Sequence, residues 1–267
     1  MTDRRLGTVE GERARAYADA TNDHNPAYRE GRCAPPVFGV VPTWDSLLGA
    51  LDELVPPESL PMLLHTEQDM RFHRPLVRGV TLSTVAEPYS VRVTRLGTWI
   101  TVRLASDDGA GRPVLEQFST MFVRGMTGGE DFGPDRPTHA FPADARSRPL
   151  VESVRRVDED QTFRYRDASG DTNPIHVDEE LARQAGLPGI IVHGLCTMAM
   201  CGSVVVDQVA ARDPARLARL AVRFSRPVFP GDDLVVSVYD AGQGAYAFEA
   251  TARDKLVVRD GWAEVRS

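Results

Sequence analysis

The spacing of apolar and polar residues divides the chain into helical and strand-like stretches. Residues 11–22 combine high helix propensity with an apolar face, which predicts a helix. Residues 33–54 are apolar, with large side chains at helical spacing in their second part, and a Pro-Pro step ends the segment. From residue 62 to residue 124 the pattern changes to that of strands. Runs of β-branched or alternating residues lie at 80–93, 98–106 and 114–123.

The second part of the chain follows the same order. Residues 125–142 are rich in Gly, Pro and Asp and have no periodicity, which predicts a linker. A strand is expected at 150–157, before the helices. Helices are predicted at 160–169, 178–185 and 194–211, and further strands at 217–225, 233–240, 245–253 and near 256–265.

Short motifs recur between the two parts. DHNP at 23–26 is matched by DTNP at 171–174, and FHRPLVRG at 72–79 is matched by FSRPVFPG at 224–231. Phe38-Gly39 corresponds in the same way to His193-Gly194. The offset drifts only between 148 and 155 positions, always in the same order, which indicates an internal repeat. We therefore predict an α+β fold in which each half is an antiparallel sheet wrapped around a central helix. The predicted units are 1–124 and 143–267, joined by the linker 125–142.

Composition excludes several classes of protein. The formal net charge is −7 and the pI about 5.4, which argues against broad nucleic-acid binding, since that requires a basic surface. No apolar run approaches the ~20 residues that cross a membrane, and the first residues have no signal-peptide core, so a cytoplasmic location is expected. The three cysteines lack the spacing of a zinc site, and Cys196 and Cys201 are expected to be buried.

Candidate chemistry concentrates in one stretch of the second half. Asp171, Asn173 and His176 share a short Pro-containing loop, and Gly194 begins the predicted apolar helix. Histidine is the natural proton carrier near neutral pH, and the N–H groups of a helix N-terminus stabilise a negatively charged oxygen. This combination predicts proton-transfer chemistry on a carbonyl compound.

The same residues carry a resemblance to a known family. The matching segments are YR at 165–166, SGDTNPIHVD at 169–178, AGLPG at 185–189, IIVHGL at 190–195 and FSRPVFPGD at 224–232. They resemble the MaoC-like R-specific enoyl-CoA hydratases and (R)-3-hydroxyacyl thioester dehydratases, which have the hot-dog fold. Because the first half resembles a diverged copy, the whole chain resembles a double hot-dog hydratase.

The resemblance implies roles for four residues. Asp171 and His176 match the catalytic pair that holds and activates water, and Asn173 matches a residue that shapes the loop and its hydrogen bonds. Gly194 matches the position whose backbone N–H receives the thioester oxygen. The implied reaction is hydration of a trans-2-enoyl thioester to an (R)-3-hydroxyacyl thioester, or the reverse.

The first half departs from the family pattern. It keeps Asp23, Asn25 and Gly39, but Tyr28 stands where the histidine would be. We therefore expect this half to accommodate the acyl chain and not to catalyse. No cofactor is expected, since CoA or phosphopantetheine is part of the substrate, and the partner is an acyl-CoA or acyl carrier protein thioester. The fused chain is compatible with a monomer and with a homodimer.

Other interpretations of these residues stay open. Asp171 and Asn173 also suit an Asx-Pro turn, Asp178 suits a helix N-cap, and His193 suits a packing or hydrogen-bonding role. His176, Asp178 and His193 form a candidate metal triad, although no metal is expected. Arginines that could meet the substrate phosphates, or simply lie on strand surfaces, are Arg223, Arg226 and Arg253. A non-catalytic acyl-thioester-binding subunit and a hot-dog thioesterase are the alternative functions.

Overall fold

The computed structural model describes residues 4–142 and 145–267, and within them each half contributes five strands and three α-helices. The first half contains β1 (Arg4–Thr8), α1 (Gly11–Ala20), α2 (Pro26–Arg29), α3 (Trp44–Leu54), β2 (Leu63–Phe72), β3 (Thr81–Val93), β4 (Gly97–Asp107) and β5 (Pro113–Arg124). The second half contains β6 (Val151–Arg156), α4 (Gln161–Ser169), α5 (Glu179–Gln184), α6 (Gly194–Val209), β7 (Leu217–Phe224), β8 (Asp233–Gly242), β9 (Ala245–Ala252) and β10 (Lys255–Val265). The helices and strands predicted for the second half are confirmed to within two residues at each end.

All ten strands belong to one antiparallel sheet, in the order β1-β3-β4-β5-β2-β7-β10-β9-β8-β6. The two halves meet where β2 pairs with β7, and Asp69 lies opposite Ala221 there. Phe72 and Phe224 occupy equivalent positions of the repeat, so Asp69 lies opposite its own counterpart. A pseudo-twofold axis therefore passes through this strand pair. The predicted α+β architecture is confirmed, with the sheets of the two halves fused edge to edge.

The central helix of the second half is buried on nearly all sides. Every residue of α6 from Leu195 to Val206 is buried. Its buried hydroxyl groups donate to main-chain carbonyls one turn earlier, as Ser203 Oγ does to the Met200 carbonyl at 2.8 Å. A helix that is apolar all round is stable only inside a protein, which explains its position against the sheet. Cys196 and Cys201 lie on it as buried free thiols, as expected.

The central helix of the first half is shorter. Pro36–Thr43 form a 3₁₀ helix, and the α-helix α3 begins only at Trp44. Pro42 lies inside this 3₁₀ segment; it has no N–H, and in an α-helix its ring would clash with the carbonyl four residues before it. The apolar face of α3, with Leu47 and Leu51, packs on the inner face of β4 and β5.

The helices α1 and α4, which precede the DHNP and DTNP motifs, pack against each other across the pseudo-twofold axis. The hydroxyls of Tyr17 on α1 and Tyr165 on α4 lie 3.1 Å apart, and both side chains are buried. Arg13 donates to the carbonyls of Ala168 and Ser169 at 2.9 and 2.7 Å. Because these are C-terminal carbonyls of α4, which lack partners inside the helix, α1 fixes the point from which the candidate loop starts.

The predicted linker 125–142 crosses the outer face of the sheet, away from the two central helices. Phe132 forms a bridge with Val91, and Arg136 lies 3.1 Å from the buried Glu67 carboxylate. His139 Nδ1 lies 2.6 Å from the main-chain oxygen of Asp260. These contacts join the segment to both halves. In the part of the chain that the structure describes, no helix has the length and apolar character needed to cross a membrane.

Candidate active site

The loop that follows α4 is shaped by its own polar side chains. Gly170 ends the helix in a left-handed conformation, with φ +84°. Ser169 Oγ then accepts from the N–H of Asp171, and Asp171 Oδ1 accepts from the N–H of Asn173, each at 3.1 Å. Asn173 Oδ1 in turn accepts from the N–H of Ile175 at 3.3 Å. Asp171 and Asn173 therefore shape Asx-type turns, and these turns present His176.

His176 lies at the end of this loop with 7% of its surface exposed. Its Nδ1 is 2.8 Å from the carbonyl oxygen of Ile191. A carbonyl only accepts, so Nδ1 carries the hydrogen and Nε2 has the free lone pair. One carboxylate oxygen of Asp171 and one ring nitrogen each of His176 and His193 all lie within 4.8 Å of one another. The structure thus brings the predicted acid–base pair together.

Burial sets the protonation of both histidines. It lowers the pKa of His176, although the Ile191 carbonyl and the nearby Asp171 carboxylate oppose the shift. It lowers the pKa of His193 to about 2, and the neighbouring His176 adds to this effect. Both rings are therefore neutral at pH 7, and His176 Nε2 is available as a base.

His193 contacts both members of the pair. Its ring stacks on His176 with the centroids 3.7 Å apart, and its Nε2 lies 3.2 Å from the main-chain oxygen of Asp171. It also packs against Tyr165, with centroids 4.8 Å apart, just as Phe38 packs against Tyr17 at 5.5 Å in the first half. The sequence indicated a packing or hydrogen-bonding role for His193, or a place in the candidate metal triad, but not its stacking on His176. The replacement of Phe38 by histidine in the repeat was the signal that could have indicated its position.

Gly194 begins α6 beside the pair. Amide groups in the first turn of a helix have no acceptor within the helix, and the His193 side chain does not cap this one. A Cβ atom at Gly194 would lie 3.3 Å from the ring of Phe224. Glycine therefore lets a bound molecule come close to the N-terminus of α6, whereas a side chain at this position would narrow the space.

One cavity of about 750 Å³ joins these residues to the first half of the chain. Asp171, Asn173, His176 and Gly194 line one end. The other end is largely apolar, and its walls include Trp44, Leu47, Leu48, Leu51, Leu63 and Met121 from the first half. These wall residues were not predicted as site residues, because their helical and strand spacing also suits an ordinary core.

The three candidate arginines lie in different places. Arg226 lines the cavity. Arg223 instead pairs with Glu67 at 2.7 Å and Asp260 at 2.9 Å on the outer face of the sheet. Arg253 pairs with the buried Asp232, and its guanidinium lies over the ring of Phe229. The structure therefore brings Arg226 to the cavity and holds Arg223 and Arg253 away from it, because acidic partners satisfy their charges elsewhere.

The equivalent position in the first half is closed. Around Asp23 the described residues enclose a volume of only about 10 Å³. A Cβ atom at Gly39 would lie 2.7 Å from the Leu115 side chain. The space beside Gly39 that would correspond to the cavity at Gly194 is therefore filled by side chains. Tyr28 is buried, and its hydroxyl has no partner among the described residues. This arrangement leaves no room for a substrate.

The metal triad considered from the sequence is not formed. Asp178 Oδ1 accepts from the N–H groups of Glu180 and Leu181 at 2.9 and 3.0 Å, which confirms it as the N-cap of α5. Asp171 takes its place beside His176 and His193. In each of these two rings one nitrogen already lies beside a main-chain carbonyl. The expectation that the site works without a metal stays a prediction.

Comparison with known proteins relates both halves to dehydratases. The family model of the MaoC like domain matches residues 141–258, and that of the FAS1-like dehydratase domain region matches residues 3–117. The 3-hydroxyacyl-thioester dehydratase Y of Mycobacterium tuberculosis is 32% identical over 212 residues, covering 76% of this chain and 72% of that protein. A probable enoyl-CoA hydratase 2 of Dictyostelium discoideum is 32% identical over 198 residues, covering 72% of this chain and 66% of that protein.

Solved structures agree with this relationship. The MaoC-like dehydratase from Phytophthora capsici superposes with a TM-score of 0.91 at 26% identity, covering 100% of this chain and 95% of the other. A Mycobacterium tuberculosis protein described as having a double hot-dog fold superposes with a TM-score of 0.62 at 14% identity over 98% of this chain and 93% of the other, a likeness of fold alone. The double hot-dog fold is therefore confirmed, and the chain belongs to the MaoC-like dehydratase family.

Proposed function

We propose that this protein is a hydro-lyase that adds water to a trans-2-enoyl thioester to give an (R)-3-hydroxyacyl thioester, and that it catalyses the reverse dehydration. The observation that carries the proposal is the juxtaposition of Asp171 and the neutral His176 with the N-terminus of α6 on one cavity. The names of the relatives, an enoyl-CoA hydratase 2 and a 3-hydroxyacyl-thioester dehydratase, support the same reaction class.

The chemistry follows from what each group can do. Water held between the Asp171 carboxylate and His176 Nε2 attacks Cβ of the enoyl group while Nε2 takes its proton. The electrons move to the thioester oxygen, where the N–H of Gly194 stabilises the enolate charge. A proton then reaches Cα from the acid form of the pair, which restores both residues. Dehydration uses the same groups in the reverse order.

The two ends of the cavity suit the two ends of the substrate. The apolar walls contributed by Leu47, Leu51 and Leu63 suit an acyl chain, because burying apolar surface stabilises binding by roughly 25 cal/mol per Å². Arg226 lines the same cavity and suits a phosphate of CoA or of a phosphopantetheine arm. The reaction needs no cofactor, since the thioester carrier is part of the substrate.

Assembly and location belong to the same proposal. The two halves pair through β2 and β7, and residues of both halves line the cavity. A homodimer of this fused chain stays a prediction. The cytoplasmic location also stays a prediction, since several relatives are named peroxisomal enzymes.

A spectroscopic assay tests the reaction directly. Purified protein is mixed with crotonyl-CoA, and the absorbance of the conjugated thioester is followed together with release of free thiol. Hydration predicts loss of the absorbance with no thiol, and chiral chromatography then identifies the (R) product. Thiol release would indicate a thioesterase, and binding without turnover at any chain length would indicate a non-catalytic subunit.

A further inference from the structure

One polar ring lies in the part of the cavity that the first half forms. His65 lines this cavity, and its ring packs edge-on against Phe224, with centroids 5.5 Å apart. The ring of Phe224 in turn lies 3.3 Å from the position of a Cβ atom at Gly194. A single aromatic ring therefore separates His65 from the site proposed to hold the thioester oxygen.

An irregularity in β2 turns His65 toward the cavity. The register between β2 and β5 shifts between His65 and Glu67. Beyond the shift, Gln68 and Met70 point to the inner face, whereas Glu67 pairs with arginines on the outer face. Since side chains alternate along a strand, an uninterrupted β2 would point His65 outward. β-bulges commonly redirect side chains in this way beside functional sites.

A chain of buried hydrogen bonds fixes the tautomer of this histidine. The Thr43 hydroxyl donates to the carbonyl of Gly39 at 3.0 Å, so it accepts from Gln117 Nε2 at 2.9 Å. Gln117 Oε1 is then the atom that accepts from Gln68 Nε2 at 3.2 Å. This leaves Gln68 Oε1 beside His65 Nε2 at 3.1 Å. These hydrogen bonds fix the orientation of the side-chain amides of Gln117 and Gln68. The Gln68 atom that faces His65 is therefore the oxygen, which accepts.

His65 Nε2 therefore carries the hydrogen. It lies 3.1 Å from Gln68 Oε1 and 3.1 Å from the main-chain oxygen of Glu67, both of which accept. Burial also lowers the pKa of His65 to about 4, so the ring is neutral at pH 7. Its Nδ1 therefore has a free lone pair. Among the described residues, the polar side-chain atoms that are both fully enclosed and unpartnered do not include this nitrogen.

We propose that His65 Nδ1 is a specificity-determining acceptor for a hydroxyl group on the acyl chain, several carbons beyond the thioester. The proposal rests on the proposed function only in one respect, namely that the acyl chain of the substrate extends from the thioester at Gly194 toward the first half. A hydroxyl placed in this apolar region without an acceptor loses its hydrogen bonds to water, whereas beside His65 it keeps one. The site therefore favours hydroxylated acyl chains of one length over plain chains of that length.

Binding measurements test this without requiring turnover. Calorimetry on the full chain measures Kd for saturated acyl-CoAs of increasing length, each with and without a terminal hydroxyl. At one chain length we expect the hydroxyl to improve binding by about 2- to 10-fold relative to its effect at other lengths. His65→Phe, which keeps an aromatic ring against Phe224 but has no acceptor, abolishes this peak. Thr66→Val removes a different polar group that lines the same cavity and leaves the peak in place.

Each outcome decides the proposal. A wild-type protein without the peak, or a peak that survives in His65→Phe, overturns it. An equal loss for plain and hydroxylated chains in His65→Phe also overturns it, since His65 would then contact the shared pantetheine or only support the fold. If His65→Phe does not fold, His65→Gln, which retains an acceptor, is compared with His65→Leu. Hydration of crotonyl-CoA is assayed separately, so failure of the reaction and failure of this site are distinguished.

Discussion

His193 stacks on His176 with ring centroids 3.7 Å apart and ring planes 27° apart. Its Nε2 also lies 3.2 Å from the main-chain oxygen of Asp171, so one buried ring contacts both partners of the acid–base pair. Because burial keeps His193 neutral, it fixes the orientation of His176 without placing a positive charge beside it. We therefore regard His193 as a positioning residue.

Substitution of His193 tests this role. His193→Phe keeps a flat ring against His176 but loses the hydrogen bond to the Asp171 carbonyl, and we expect kcat to fall by about 2- to 10-fold. His193→Ala loses the stack as well and reduces kcat further, while KM for crotonyl-CoA changes little. Steady-state kinetics measures both constants. Full activity in His193→Ala would contradict a positioning role, provided that its circular dichroism matches the wild type.

The lowered pKa of His176 predicts the acid limb of the activity profile. A general base works only when neutral, and burial favours the neutral form, so kcat/KM falls only at pH values below the ordinary histidine pKa of about 6.5. Initial rates of crotonyl-CoA hydration between pH 4 and 9 measure this limb. An acid limb at or above the ordinary pKa, with the fold intact, would contradict the structure.

Asp23 predicts a pH-dependent change in stability. Burial raises the pKa of Asp23 to about 6 from 3.8, so its contribution to stability is fully present below pH 3.8 and is lost as the pH rises through 6. Asn has no such titration. Asp23→Asn should therefore gain stability relative to the wild type between pH 4 and pH 8, by an amount on the order of 2 kcal/mol.

Urea unfolding at the two pH values measures this gain. Asp135→Asn is the matched control, because the Asp135 side chain is 95% exposed. An equal effect of Asp23→Asn at both pH values would show that the carboxyl does not titrate across this range in the folded protein.

The apolar end of the cavity predicts a chain-length effect. Leu48 lines the cavity and is 42% exposed, so Leu48→Trp fills space there without overpacking the core. We expect kcat/KM for long-chain enoyl-CoAs to fall at least about 10-fold, as several methylene contacts are lost, and the value for crotonyl-CoA to persist. Leu60→Trp, outside the cavity lining at similar exposure, is the control. A parallel loss for all chain lengths would contradict a location of the acyl chain at this end.

Much of the fold was predictable because local patterning was strong. The apolar run that became α6 and the alternating runs that became β3 to β5 were identified from periodicity alone. β1 was missed, because RRLGT is short and mostly exposed and gives no alternation. The fusion of the two sheets through β2 and β7 depends on a long-range pairing. Such a pairing leaves no local signal in either strand.

The site was predictable for the residues that share one loop. Asp171 and His176 lie five positions apart, so their approach follows from turn chemistry. The position of Arg223 could not be foreseen, since its partners Glu67 and Asp260 are far from it in sequence. His193 presented the same difficulty, because its stacking on His176 depends on how α6 meets the loop.

The most direct test of the central claim compares crotonyl-CoA hydration by the wild type, Asp171→Asn and His176→Ala. Asp171→Asn keeps the side-chain oxygen that accepts from the N–H of Asn173, so the turn is retained while the charge is lost. We predict that the wild type is active and that each variant loses about 10²–10⁴-fold in kcat, with an unchanged melting temperature for Asp171→Asn. Full activity in both folded variants would contradict the assignment of Asp171 and His176 as the catalytic pair.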